Sequence, residues 1–185
     1  MRKVSFSQLM TYVRCPEHWL FRYNLGLKRT PKKILKHGFA MHEVFAYHFD
    51  QKKKDGKGIK PGEAKEFFAD VFLGALDDYK QELEAARPYL TKEYLKKERE
   101  VDINDLLDRG MRGIEVYFKK LNPLIIPDLV EEAFEFQASK DIQVIGRLDL
   151  THVNGTIHEL KTTRKNPNMQ DIRSDPQLAI YQLGY

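Results

Sequence analysis

The sequence predicts an α/β fold in which a mixed central sheet is flanked by helices and follows a helical N-terminal region. Apolar residues recur at helical spacing in much of the first 127 residues, and from Leu129 the pattern changes to short apolar strands. The length of 185 residues, 42% of them hydrophobic, suits one domain with a sizeable core. We therefore expect a single domain over 1–185, mainly helical over 1–127, with core strands and a following helix over 128–185.

Capping and breaking residues predict the helices in order. Ser5 to Gln8 reads S-x-x-Q, a capping-box pattern that predicts a short helix to about Arg14. Pro16 can open a second helix, which Gly26 would end. Three more helices are predicted farther along the chain: HGFAMHEVFAYHFD, Glu63 to about Ala86, and roughly Asn104 to Leu121. The basic stretch KKKDGKGIKPG is predicted to be a breaker between the first two of these.

Three strands and a last helix complete the predicted elements. The strands are LVEEAFEFQ, IQVIGRLDLTHV and TIHELKTT, and Asn154-Gly155 forms the turn between the last two. Ser174, Asp175 and Pro176 then make a helix start, so QLAIYQLGY is predicted to be helical.

Charged residues on the last two strands indicate a shared site. Glu159 and Lys161 are two residues apart on one strand, so their side chains point to the same face. A two-residue loop of Asn154-Gly155 would turn Asp149 away from that face. A three-residue loop with Gly155 in the left-handed conformation would instead pair Asp149 with Glu159. We predict the three-residue loop, because only this register gathers all three charged residues.

Two carboxylates beside a lysine suit the hydrolysis of phosphodiester bonds. Hard oxygen ligands select Mg²⁺ or Mn²⁺, which neutralise the scissile phosphate and lower the pKa of a bound water molecule. The lysine can orient that water and stabilise the extra negative charge of the transition state. D-x(9)-E-x-K is a short pattern, however, and a surface hairpin whose glutamate and lysine pair across solvent is the alternative.

Five stretches of the chain form a recognisable set in order from Ser5 to Tyr181. They are SFSQLMTYVRCPEHWLFRYNLGL, HGFAMHEVF with its G-x-x-x-H pattern, GRLD, HELKTTRK with its E-x-K pattern, and QLAIY with its Q-x-x-x-Y pattern. Together they resemble the PD-(D/E)XK nuclease superfamily, and within it the RecB-like exonuclease branch, which includes CRISPR-associated and phage RecB-like nucleases. The resemblance implies a restriction-endonuclease-like core.

The resemblance also implies a metal site and a catalytic lysine. Lys161 would be the catalytic lysine, and a glutamate near the first core strand, Glu131 or Glu132, fits a further family position. The metal ligands would be His42, Asp149, Glu159 and the backbone carbonyl of Leu160. His42 lies among apolar residues, so a packed or surface histidine is the alternative interpretation there.

Other residues would position the substrate. Gln177 and Tyr181 are four apart on a helix and share a face. The resemblance implies that they position the DNA or the active-site lysine, while a plain core aromatic is the alternative for Tyr181. Arg164, Lys165 and the loop KKKDGKGIK would contact phosphates, and solvated basic residues are the alternative for all of these.

The cysteine content departs from that of many RecB-like nucleases, in which one N-terminal and three C-terminal cysteines hold an iron–sulfur cluster. Cys15 occupies the first place and is the single cysteine of the sequence. The cluster therefore cannot form from this chain alone. The chain also ends directly after the Q-x-x-x-Y pattern, in the middle of a predicted helix, and whether a C-terminal segment is missing stays open.

Composition and short patterns limit the binding partners and the cellular location that we expect. A net charge of +4 and a pI near 9.0 give a mild bias toward polyanions. No apolar run reaches the roughly 18 residues of a membrane span, and the N-terminus turns polar too soon for a signal peptide. We expect a cytoplasmic protein, encoded by a bacterium, an archaeon or a phage. The sequence contains no G-x-x-x-x-G-K-[ST], and hence no helicase motor.

The predicted function is metal-dependent hydrolysis of DNA by an exonuclease, in recombination, repair or phage DNA processing. DNA and a recombination or helicase protein are the expected partners. The competing class is a catalytically inactive DNA-binding or scaffolding subunit of the same fold. Among enzymes the rival is a restriction-type endonuclease, which would cut circular DNA, whereas an exonuclease needs ends. Polarity, strand preference, the number of metal ions and the oligomeric state stay open.

Overall fold

The computed structural model describes residues 1–162, 168–170 and 175–184. The chain divides into two compact units, one from Met1–Arg29 together with Asp128–Tyr185 and one from Thr30–Pro127. The first, here called the sheet unit, contains a mixed sheet with helices packed on it, so the predicted α/β fold class is confirmed. The second, the helical unit, is described by itself below. That the two units form a single domain stays a prediction.

The sheet unit is assembled from both ends of the chain. Within the described ranges its elements are β1 (Arg2–Ser5), α1 (Phe6–Arg14), α2 (Pro16–Trp19), β2 (Pro127–Ser139), β3 (Ile142–His152), β4 (Ile157–His158) and α7 (Pro176–Gly184). A π-helical turn over Leu20–Asn24 continues α2. The helices α3 to α6 belong to the other unit.

β3 is the strand around which the sheet is built. It lies between β1 and β2, and β4 also pairs with it. β1 runs parallel to the beginning of β3, with Val4 opposite Val144, whereas β4 is antiparallel to its end. Only two residues join β2 to β3, a connection that suffices only for antiparallel strands. Four consecutive residues of β3, Leu148 to Thr151, are buried, as expected for a strand covered on both faces.

The helical unit has an aromatic core between its long helices. The helices are α3 (Lys33–Asp55), α4 (Pro61–Ala86), α5 (Lys92–Glu100) and α6 (Ile103–Lys120). Phe49, Phe68 and Phe72 are fully buried, and the rings of Phe68 and Phe72 stack with centroids 5.8 Å apart. Gly110 lets α6 approach α4, because a Cβ there would lie 2.1 Å from the Phe68 ring. Among the described helices, none combines the length and the apolar composition that crossing a membrane requires.

Gly110→Ala should destabilise the protein, whereas Gly74→Ala should not. The added methyl group at position 110 would meet the Phe68 ring, and overpacking of this kind costs about 1–3 kcal/mol. Gly74 lies inside α4 with nothing within 4 Å of an added Cβ, so alanine there should stabilise by roughly 0.5–1 kcal/mol. Urea unfolding of the three proteins measures both effects. Equal stability of the wild type and the Gly110 variant would contradict the close approach of the two helices.

Several segments differ from the sequence prediction. The sequence does not predict β1 or α5. β1 has only four residues and depends on pairing with the distant β3. α5, KEYLKKERE, buries only Glu98, so it lacks a helical pattern of apolar residues. The predicted breaker KKKDGKGIKPG begins later than expected, because α3 continues through Lys52 to Asp55. Gly56, with φ of 74°, then ends the helix. β4 covers only two residues of the predicted third strand.

Candidate active site

The turn between β3 and β4 determines which charged residues face each other. Thr151 pairs with Ile157, and three residues form the loop. Gly155 in this loop has φ of 84°, a left-handed conformation that suits glycine. The predicted three-residue loop is therefore confirmed. The same register, continued by two residues, places Asp149 opposite Glu159.

Asp149 is held inside the sheet next to a second carboxylate. Only 9% of Asp149 is exposed, and its Oδ2 accepts a hydrogen bond of 2.7 Å from the N–H of Leu160. A carboxylate oxygen of Glu131 on β2 lies within 4.8 Å of one of Asp149. Two carboxylates at this separation repel each other, and a cation bound between them relieves the repulsion. The pair is therefore suited to binding a cation.

Glu131 reaches this position from an unusual backbone conformation. Its φ of 47° is the one positive value at a non-glycine residue in the described part of the chain. Strain of this kind costs of order 1–3 kcal/mol and is found where surrounding structure holds a functional group. Glu132, the other glutamate considered from the sequence, is exposed. Glu131 is thus the one of the two whose carboxylate lies beside Asp149.

Glu159 is a half-buried residue whose second carboxylate oxygen is fully buried. Its Oε1 accepts a hydrogen bond of 2.8 Å from the side-chain amide of Gln177 and lies 3.8 Å from Nζ of Lys161. Its Oε2 is buried and forms no hydrogen bond of ordinary geometry among the described residues, while Tyr181 and Asp149 are close neighbours of the carboxyl group. Burial, and after it the charge of Asp149, raises the pKa of Glu159 to about 7. A buried carboxylate oxygen without an ordinary hydrogen bond fits a place where a cation binds.

Gln177 on α7 connects the charged residues. Its Oε1 accepts from Nζ of Lys161 at 2.9 Å, and its Nε2 donates to Glu159 at 2.8 Å and to the hydroxyl of Tyr181 at 2.5 Å. A lysine only donates and an ionised carboxylate only accepts, so these partners determine the orientation of the amide. Asp175 completes the network, because it accepts from Lys161 at 3.2 Å and from the N–H of Gln177 at 2.9 Å. The sequence predicts Asp175 only as part of a helix start.

Phe134 on β2 holds α7 against the sheet. The ring of Tyr181, which is 5% exposed, packs edge-on against Phe134 with centroids 5.7 Å apart. A Cβ at Gly146 or at Gly184 would lie 2.3 Å or 2.1 Å from the Phe134 ring. The two glycines therefore make room for this ring between strand and helix. Burial raises the pKa of Tyr181, so its hydroxyl stays protonated. Tyr181 is thus both a core aromatic and a partner of Gln177.

The metal-free protein should show a stability contribution from Glu159 that is lost as pH rises from about 4.5 to about 7. The pKa of Glu159 is raised from 4.5 to about 7 in the folded state, so the folded state binds more protons than the unfolded state in this range. Stability then falls with increasing pH. Thermal unfolding in a chelator at pH 5 to 8 measures the fall.

Glu159→Gln is the matched control for this pH dependence. The difference between wild type and variant isolates Glu159 from His37 and His48, whose pKa values are lowered chiefly by burial. Those histidines act with the opposite sign, since their contribution is lost as pH falls. If the stability of the wild type and of Glu159→Gln changed in parallel with pH, the pKa of Glu159 would be an ordinary one.

The roles of all the predicted site residues stay predictions, and four of these residues lie apart from the contacts described above. His42 lies on α3 in the helical unit and is half-buried. The N–H of Leu160 bonds to Asp149, while its carbonyl as a ligand is untested. Arg164 and Lys165 lie outside the described residues.

The carboxylates of the β3–β4 hairpin and of β2 fit a hard divalent cation. Asp149 and Glu131 bring carboxylate oxygens together, and Glu159 presents a fully buried oxygen. Mg²⁺ and Mn²⁺ prefer such oxygen ligands.

Comparison with known proteins agrees with this chemistry. The family model of the PD-(D/E)XK nuclease superfamily matches residues 3–185. No curated protein and no solved structure matches the chain.

Proposed function

Because the chain belongs to the PD-(D/E)XK nuclease superfamily, which implies a metal-dependent nuclease acting on DNA, we propose that it is a Mg²⁺- or Mn²⁺-dependent deoxyribonuclease of the RecB-like branch. It acts as an exonuclease in DNA recombination, repair or phage DNA processing. The observation that supports this most is the hairpin site, in which two adjacent carboxylates and a third with a fully buried oxygen accompany Lys161.

Carboxylates of the β3–β4 hairpin and of β2 hold the cation in this proposal. Asp149 and Glu159 are ligands, and Glu131 joins them because its carboxylate lies beside Asp149. The sequence resemblance adds His42 and the carbonyl of Leu160 as further ligands. A bound Mg²⁺ or Mn²⁺ would supply a Lewis acid that neutralises the scissile phosphate and acidifies the attacking water.

Lys161 acts on the water and the phosphate. Its ammonium donates hydrogen bonds to the developing negative charge as the water oxygen bonds to phosphorus and the ester P–O bond breaks. Gln177 and Asp175 hold the ammonium through bonds of 2.9 Å and 3.2 Å, and Tyr181 accepts a bond from the Gln177 amide. Gln177 and Tyr181 are therefore positioning residues.

Three features of the wider proposal rest on the sequence. Arg164 and Lys165 follow the E-x-K motif and contact DNA phosphates. The protein is cytoplasmic and forms a single nuclease domain. Its proposed protein partner is a recombination or helicase protein.

Cleavage of labelled DNA tests the proposal. Single- and double-stranded linear DNA, labelled at one end, is incubated with the protein in Mg²⁺, in Mn²⁺ and in a chelator, and a covalently closed circle is incubated in parallel. We expect metal-dependent shortening of linear DNA from its ends, while the circle stays intact. Cutting of the circle would assign an endonuclease instead. Tight DNA binding without cleavage in either metal would favour the scaffolding subunit and overturn the enzymatic proposal.

A further inference from the structure

Six exposed lysines crowd the end of the helical unit where α3 and α6 both end. This lysine patch consists of Lys53, Lys54, Lys57, Lys60, Lys119 and Lys120. None of the six forms an ion pair within the described ranges. Three other exposed lysines of the helical unit do form ion pairs: Lys80 with Asp77, Lys96 with Glu100 and Lys97 with Glu93. The patch is therefore a concentration of positive charge, which the carboxylate of Asp55 beside Lys57 offsets only in part.

A buried polar junction brings the two helix ends together. Nζ of Lys52 donates to the backbone carbonyl of Asn122 at 2.5 Å and to its Oδ1 at 2.8 Å. Nε2 of His48, which is fully buried, lies 2.9 Å from the same Oδ1. Lys52 lies in the last part of α3, four residues after the buried His48. Asn122 comes directly after Leu121, the residue that caps the end of α6. Along the chain, four lysines of the patch follow Lys52 and the other two directly precede Leu121 and Asn122.

The loop after α3 is also held in a defined conformation. Oδ1 of Asp55 accepts hydrogen bonds of 2.8 Å from the N–H groups of both Lys57 and Gly58. Gly58 has φ of 72°, and a Cβ there would lie 2.6 Å from the His48 ring. Ile59 is 7% exposed and anchors the loop. The one carboxylate within KKKDGKGIK is thus engaged by backbone amides, and the loop lysines project from a fixed backbone.

We propose that the lysine patch binds the phosphate backbone of DNA, in addition to any contact at the catalytic hairpin. The inference rests on the proposed function, because it takes DNA as the polyanion. Clustered like charges repel one another when no anion is present, and an array of phosphates removes this repulsion while releasing condensed counterions. A backbone that is fixed beforehand loses little conformational freedom on binding. The patch contacts phosphates and not bases, so its affinity does not depend on the DNA sequence.

Binding to labelled DNA in a chelator tests the inference without cleavage. The patch variant carries Lys54→Gln, Lys57→Gln and Lys120→Gln, and the control variant carries Lys80→Gln, Lys96→Gln and Lys97→Gln. Both lose the same charge, and Lys52 is left intact because it forms the junction. Fluorescence anisotropy over a range of salt concentrations gives Kd and its salt dependence, and thermal unfolding shows that each variant is folded.

We expect the patch variant to bind DNA about tenfold more weakly or worse, with a salt slope shallower by about 2–3, since each phosphate contact contributes roughly 0.9 to the slope. The control variant should resemble the wild type. Equal affinities and slopes for the two variants would overturn the inference, as would a wild type that binds no DNA. The proposed nuclease activity is decided separately by metal-dependent cleavage, so either proposal can fail while the other stands.

Discussion

Lys161→Ala should lower the rate of metal-dependent DNA cleavage by at least about a hundredfold in a protein that stays folded. Loss of a single preorganised donor to transition-state charge costs roughly 10²–10³ in kcat. The Lys161 side chain is 46% exposed, so its removal leaves no cavity in the core. Its contacts are to Glu159, Asp175 and Gln177. Single-turnover cleavage of a labelled duplex measures the rate, and thermal unfolding checks the fold.

Lys140→Ala is the matched control for this variant. Lys140 is an exposed lysine in the turn between β2 and β3 of the same unit, so its removal changes the net charge equally. We expect wild-type cleavage rates from it. A Lys161→Ala protein that cleaves as fast as Lys140→Ala would exclude Lys161 from the chemistry.

Asp149→Asn should abolish the stabilisation of the protein by Mn²⁺ or Mg²⁺. A ligand at a hundred times its Kd stabilises the folded state by about 2.7 kcal/mol, so wild-type protein should melt at a higher temperature in Mn²⁺ than in a chelator. Asparagine keeps an oxygen that can accept the N–H of Leu160 but removes a charged ligand. In the chelator the variant should stay folded, because asparagine keeps the bond to the N–H of Leu160 and no longer repels the carboxylate of Glu159.

Asp141→Asn serves as the control for the melting experiment. Asp141 is exposed in the turn before β3, and its variant should keep the full shift in Mn²⁺. An Asp149→Asn protein with the same shift as Asp141→Asn would place the metal elsewhere. A large loss of stability in the chelator would instead assign Asp149 a purely structural role.

Local chemistry explains what could be predicted from the sequence. Gly155 makes a left-handed turn possible, and that turn sets the register that places Asp149 opposite Glu159. The S-x-x-Q pattern likewise acts over one turn, and Ser5 Oγ accepts from the N–H of Gln8 at 3.2 Å. Interactions between residues close in the chain are visible in the sequence because their geometry is fixed by few bonds.

Long-range packing explains what could not be predicted. Asp175 enters the site because α7 lies against the sheet, and this contact depends on the Phe134 ring between Gly146 and Gly184. The choice of Glu131 over Glu132 depends on a backbone outlier that no local pattern indicates. β1 forms only through pairing with β3. In each case the partner lies far away along the chain.

Single-turnover cleavage of an end-labelled linear duplex by the wild type and Lys161→Ala, purified side by side, is the most direct test of a metal-dependent nuclease site at the β3–β4 hairpin. We expect the wild type to cleave in Mg²⁺ or Mn²⁺ and not in a chelator, while Lys161→Ala binds the duplex and leaves it essentially uncut. Cleavage that persists in the chelator, or equal rates for the two proteins, would contradict the assignment of the site.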